Sequence, residues 1–138
     1  MVNNKNILIV EDEENISLAI SIILRREGYK VSSVKNGLEA LNFIFSRRES
    51  TEPVGFLLTD IEMPDLTGKD LIIELKKANC NLPVLVITGY NNENVKEEIS
   101  SIIDAVFINK PFSPKELVKS VKNSYEKFKT KSINRNEL

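Results

Sequence analysis

Apolar residues in this chain fall into short unbroken runs, separated by longer stretches in which they recur every three or four positions. Ile7 to Val10, Val54 to Leu58 (interrupted by Gly55), Val84 to Ile87 and Ala105 to Ile108 are apolar throughout and of strand length. That is what strands covered on both faces require. Lys30 to Val34 is a weaker fifth strand. Between them the spacing turns helical: Ile16, Ala19, Ile20 and Ile23 are predicted to share one face, then Leu41, Ile44 and Phe45, then Leu71, Ile72 and Leu75. Val95, Ile99 and Ile102 make a thinner stripe, so the fourth helix is expected to be the most mobile. Leu117, Val121, Tyr125 and Phe128 mark the last helix.

The punctuation agrees with these periods. Gly28 sits where a helix end wants a left-handed residue, and Asn36 and Gly37 form a turn. Ser113 and Glu116 have capping-box spacing with Pro114 at the first helical position, the clearest helix start in the chain. Beyond Lys129 the pattern is polar and aperiodic, so residues 1–128 are expected to form one domain and 129–138 a polar tail or linker stub.

Strand and helix alternate five times, which implies a parallel sheet with helices on both faces. Ligands of such sheets bind beyond the carboxyl ends of the strands, where strand order reverses. Glu11 and Asp12 follow the first strand, Asp60 ends the third before Pro64 forbids continuation, Thr88 ends the fourth and Lys110 follows the fifth. A parallel arrangement brings all five to one edge.

Composition narrows the chemistry. At 138 residues, 41% hydrophobic and 28% charged, with 19 basic and 20 acidic side chains, the chain reads as one soluble globular domain with no charge excess for direct nucleic-acid binding. Histidine is absent, which removes the commonest general base and metal ligand. Cys80 is the single cysteine, so no intramolecular disulfide forms. Ile7 to Val10 is too short for a signal sequence, and no run has membrane-spanning length; a cytoplasmic location is expected.

Crowded carboxylates repel one another, and a bound divalent cation relieves that repulsion. An all-oxygen site selects a hard ion: magnesium, with manganese as a second fit. Such an ion keeps room for a phosphate, whose oxygens Lys110 can neutralise and the Thr88 hydroxyl can reach. The edge suits phosphoryl transfer with Asp60 as nucleophile.

The motifs resemble the receiver domains of bacterial two-component response regulators: Glu11 and Asp12 after ILIV, Asp60 in LLTDIEMP, Thr88 in PVLVIT, and Phe107 with Lys110 and Pro111 in FINKPF. The likeness runs from about residue 5 to 128. It implies a flavodoxin-like, doubly wound α/β fold with a five-stranded parallel sheet of order 2-1-3-4-5. It further implies that Asp60 accepts a phosphoryl group from the phosphohistidine of a sensor histidine kinase or phosphotransfer protein. Magnesium would be held by the Asp12 and Asp60 side chains and the Glu62 backbone carbonyl, with Glu11 acting largely through water. Thr88 and Phe107 would be switch residues, Glu62 and Tyr90 would flank the water that removes the phosphoryl group, and a partner or second copy would bind the face of the fourth helix, last strand and last helix.

Two departures stand out. The first acid is Glu rather than the commoner Asp, and Gly89 follows Thr88 where alanine is frequent, which loosens that loop. The chain is expected to be a stand-alone receiver or the N-terminal piece of a longer regulator. An aspartate-nucleophile phosphatase is the main rival, because Glu62 lies two residues past Asp60; but those hydrolases usually place the nucleophile after the first strand. A flavin module fares worse, since Glu11 to Glu14 would repel a phosphate. The basic residues of the last helix and its extension, Lys115, Lys119, Lys122, Lys127, Lys129 and Lys131, read as a solvated face.

Overall fold

A computed structural model describes residues 4–89 and 92–136 of the chain, with side chains as far as residue 130. In chain order the elements are β1 (Asn6–Val10), α1 (Glu14–Arg26), β2 (Lys30–Val34), α2 (Gly37–Ser46), β3 (Phe56–Asp60), α3 (Gly68–Lys77), β4 (Val84–Thr88), α4 (Glu93–Ile102), β5 (Val106–Asn109) and α5 (Pro114–Asn136). The strands form one parallel sheet of order β2-β1-β3-β4-β5, as expected. The chain leaves β1 for β2 on one side and then crosses to β3 on the other. Order therefore reverses between β1 and β3, and a crevice opens at their carboxyl ends.

Alternation along the strands divides the core in two. Ile7, Ile9, Phe56, Leu58, Leu85 and Ile87 pack against Ile20 and Leu24 of α1 and Leu117 and Val121 of α5. Leu8, Val10, Leu57, Val84 and Val86 pack against Ala40 and Ile44 of α2, Leu71, Ile72 and Leu75 of α3 and Ile99 of α4. Leu57 and Leu58 are wholly buried, so truncating either to alanine costs about 2–5 kcal/mol.

Some expectations shift. Ala19 is exposed; α1 buries Ser17, Ile20, Ser21 and Leu24, with Ile16 and Ile23 at the margin. Two serines line this face because Ser21 Oγ donates to the Ser17 carbonyl at 2.9 Å, so the buried hydroxyl is satisfied without a polar neighbour. On α2, Ala40 and Ile44 take the core positions and Phe45 turns outward. Ile99 is the one buried residue of α4, as its thin stripe implied. Gly28 has φ +92°, the left-handed helix end read from the sequence.

The capping box of α5 is present: Glu116 N–H donates to Ser113 Oγ at 3.1 Å, and Ser113 N–H to Glu116 Oε1 at 3.2 Å. That helix continues through Asn136, so the polar tail or linker stub expected after residue 128 is helical as far as residue 136. Aperiodic polarity shows that a segment buries no face of its own; a helix already nucleated propagates through it at little cost.

Candidate functional site

The site is built outward from the end of β3, whose five residues are all buried. Asp60 closes the strand with its carboxylate at the edge, and Glu62 N–H donates to its Oδ1 at 3.3 Å. Pro64 stops the strand direction, and Asp65 turns the chain with φ +66°. The loop then folds back so closely that a Cβ on Gly68 would lie 2.4 Å from the Asp60 carbonyl oxygen and 3.1 Å from Ile61 Cα. Only glycine allows that approach. Gly68 N–H donates to the Ile61 carbonyl at 3.0 Å, and a Thr67–Asp70 capping box starts α3 at the same point. The spacing of Thr67 and Asp70 was a legible signal that sequence reading passed over.

From β1 come Glu11, only 2% exposed, and the exposed Asp12. Glu11, Asp12 and Asp60 each offer a carboxylate oxygen within 4.8 Å of the others. Lys110, carried by β5 and held by its N–H to the Thr88 carbonyl at 2.8 Å, places Nζ 3.1 Å from Asp60 Oδ2 and 3.6 Å from Glu11 Oε1. Burial works against the Lys110 charge, but the hydrogen bond and charge of Asp60, with Glu11 and Glu13 beyond, outweigh it and raise the ammonium above its ordinary range. Burial pushes the Glu11 carboxyl up to about 7; the Glu13 N–H opposes this, the Asp60 charge adds to it and Lys110 opposes it.

Glu11 also supplies a direct test of fit for a cation. Its Oε2 accepts the Glu13 N–H at 3.1 Å, while its Oε1 is buried with no hydrogen-bond partner. Lys110 Nζ faces it only at 3.6 Å, beyond hydrogen-bond distance, so a metal ion or its water would complete its contacts. Three carboxylates against one nearby ammonium leave excess negative charge, and every donor is oxygen. The residues present fit a hard divalent ion.

An open cleft of about 720 Å³ lies over these groups, lined among others by Asp12, Asp60, Glu62, Lys69, Asn92 and Lys110. Thr88 stands apart from it. Wholly buried, it donates its hydroxyl to Asn109 Oδ1 at 2.5 Å and lies 3.4 Å from the Ile108 carbonyl, on the β5 side. Phe107 is half-buried against the α4 side of the core, with Lys96 Nζ 5.4 Å from its ring centroid. Glu62 is exposed at the cleft, and Tyr90 lies outside the described residues.

Two cleft residues and the partner of Thr88 went unread in the sequence. Lys69 pairs with Glu98 of α4, Asn92 is buried at the start of α4 yet makes no side-chain cap, and Asn109 holds Thr88. Gly89 has room for a Cβ, whose nearest contact would be Asn92 Nδ2 at 3.9 Å.

Comparison with known proteins gives the arrangement a lineage. Response regulator SaeR of Staphylococcus aureus strain USA300 is 28% identical over 124 residues, which cover 90% of this chain and 52% of SaeR; the chain thus spans about half the length of the curated relatives it matches. Among solved structures, FixJ-N superimposes with a TM-score of 0.79 at 26% identity, covering 91% of this chain and 96% of the other. The receiver domain of the Francisella response regulator 1452 does so with a TM-score of 0.75 at 29% identity, covering 90% and 98%. The family model for the response regulator receiver domain matches residues 7–122, and with that match, the sheet order and the acidic edge in agreement, the chain belongs to the response regulator receiver domain family.

Proposed function

We propose that Asp60 is the phosphoacceptor of this domain and that the phosphoryl group comes from the phosphohistidine of a sensor histidine kinase or a phosphotransfer protein. The observation that carries this is the Asp60 carboxylate itself, 7% exposed at the end of β3, hydrogen-bonded to Lys110 and grouped with Glu11 and Asp12. An Asp60 carboxylate oxygen attacks phosphorus as the P–N bond to imidazole breaks, and the bonding pair leaves with the ring nitrogen. Lys110 and the Glu62 N–H hold the carboxylate in place. Asp12, Asp60 and the Glu62 carbonyl would hold magnesium, with Glu11 acting through water, and the ion would neutralise phosphoryl oxygens when bound. Manganese suits the same donors.

After transfer, Lys110 pairs with one phosphoryl oxygen and the Thr88 hydroxyl donates to another, which vacates space that Phe107 turns to fill. Glu62 and Tyr90 flank the attacking water that ends the signal. The face of α4, β5 and α5 then meets an output partner or a second copy, in the cytoplasm. Residues 1–128 carry the switch, and 129–138 lead away from it. An aspartate-nucleophile phosphatase is not favoured: Asp60 closes the third strand in chain order, and the family match is to receivers.

Incubation with acetyl phosphate followed by intact mass measurement tests this. One phosphoryl group gained with magnesium, little without it and none in Asp60→Asn is the expected result. Equal gain in Asp60→Asn would overturn it.

A further inference from the structure

Thr88 Oγ1 carries one proton, and in this structure that proton is committed. Thr88 and Asn109 are register partners across β4 and β5, and the hydroxyl donates to Asn109 Oδ1 at 2.5 Å, with the Ile108 carbonyl a more distant alternative at 3.4 Å. Asn109 is exposed, so burial gives no reason for its side chain to be at this position. A β-branched apolar residue would suit the end of a strand better. Thr88, by contrast, is wholly buried, and its hydroxyl has no solvent to turn to. Lys110, the next residue after Asn109, is already at Asp60. One strand end therefore holds the phosphoacceptor's cation and, one residue earlier, the group that draws Thr88 away from the cleft.

We propose that Asn109 is a positioning residue that latches the Thr88 hydroxyl toward β5, and that the phosphoryl group on Asp60 must compete with its amide oxygen for that proton. The inference rests on the reading of Thr88 as a phosphoryl-contacting group. A hydroxyl cannot donate to both acceptors, so each state of the switch owns one of them. The latch lowers the population of the competent state before the phosphoryl group arrives, and the affinity for a phosphoryl mimic falls by the same factor. An uncharged hydrogen bond of ordinary net strength corresponds to about threefold to tenfold.

Asn109→Val removes the acceptor while keeping a residue that suits a strand. Its dissociation constant for beryllium fluoride with magnesium, followed by NMR of the Asp60 and Thr88 amides, should fall about threefold to tenfold. Its thermal midpoint in the apo state should fall as well, because a buried hydroxyl loses its partner. Tighter binding together with lower stability is a pair of effects that a purely structural role does not produce. Asn109→Ala is the second variant and should move both quantities the same way. In a Thr88→Val background, which has no hydroxyl to latch, Asn109→Val should leave the affinity unchanged.

Unchanged or weaker binding in both Asn109 variants overturns the latch, as does an equal gain in the Thr88→Val background. If those results accompany normal binding by the parent and weakened binding by Thr88→Val, only the latch falls. A parent protein that binds no beryllium fluoride at Asp60 removes the reading of the site and the latch with it.

Discussion

The two edges of the same sheet are built on opposite terms. At the amino ends of the strands, polar groups are satisfied and the contacts tie distant segments together. The Tyr125 hydroxyl donates to the Asn4 carbonyl at 2.8 Å, Asn4 and Asn6 both donate to the Pro53 carbonyl, and Arg48 caps the carbonyls of Ala78 and Asn79 at the end of α3. Tyr125 also stacks on Tyr29 and tilts against Phe56. At the carboxyl ends there are three close carboxylates, a buried oxygen without a hydrogen-bond partner and a hydroxyl held by the residue next to Lys110. One edge is built for holding, and the other gathers negative charge that one ammonium does not balance. Deficits collected at a single edge are the physical mark of function.

The contrast is broken most completely by changes at the deficient edge. Asp60→Asn should abolish phosphoryl transfer, and Asp12→Ala should slow it strongly and weaken magnesium binding while the fold survives; rates with acetyl phosphate and metal titrations read both. Gly68→Ala comes next. Its Cβ would strike the Asp60 backbone, so the loop must shift, at a cost of about 1–3 kcal/mol. Here stability and phosphorylation should fall together, and a denaturant midpoint beside a phosphorylation rate shows it.

At the opposite edge the two quantities should separate. Tyr125→Phe loses the hydrogen bond to Asn4 and with it about 1 kcal/mol, while phosphorylation keeps its rate. A large loss of transfer in this variant would mean that the two edges are coupled.

The smallest effect is a slope with pH. In metal-free protein the Glu11 carboxyl titrates near 7, against 4.5 for an unperturbed one. The unfolded chain therefore releases this proton first, and the Glu11 contribution to stability, full below about 4.5, is lost as pH rises to about 7. Thermal midpoints of the parent and of Glu11→Gln across that range should differ in slope, the variant being flatter. Identical slopes would show that Glu11 is ionised without cost.

How much of this was readable beforehand depended on range. Period and punctuation placed every strand and helix, because burial on both faces writes itself as unbroken apolar runs, and the chain order then placed Glu11, Asp12, Asp60 and Lys110 at one edge. Facing within a helix was less legible. Phe45 and Ala19 match a helical period as well as their neighbours do, and only the packed neighbours decide that Ala40, Ser17 and Ser21 go inward. Continuation of α5 past Lys129 was invisible because that stretch has no apolar stripe of its own. The partner of Thr88 was hidden for another reason. Asn109 meets it through β4–β5 register, a long-range fact that no local pattern contains.

The central claim is that the deficient edge is a phosphoacceptor site centred on Asp60. After treatment with acetyl phosphate and magnesium, borohydride reduction converts an acyl phosphate into homoserine, and peptide mass spectrometry then locates it. Homoserine at residue 60, dependent on magnesium and strongly reduced in Asp12→Ala, is the predicted result. Homoserine at another acidic residue, or at residue 60 to the same extent without magnesium, would contradict the account.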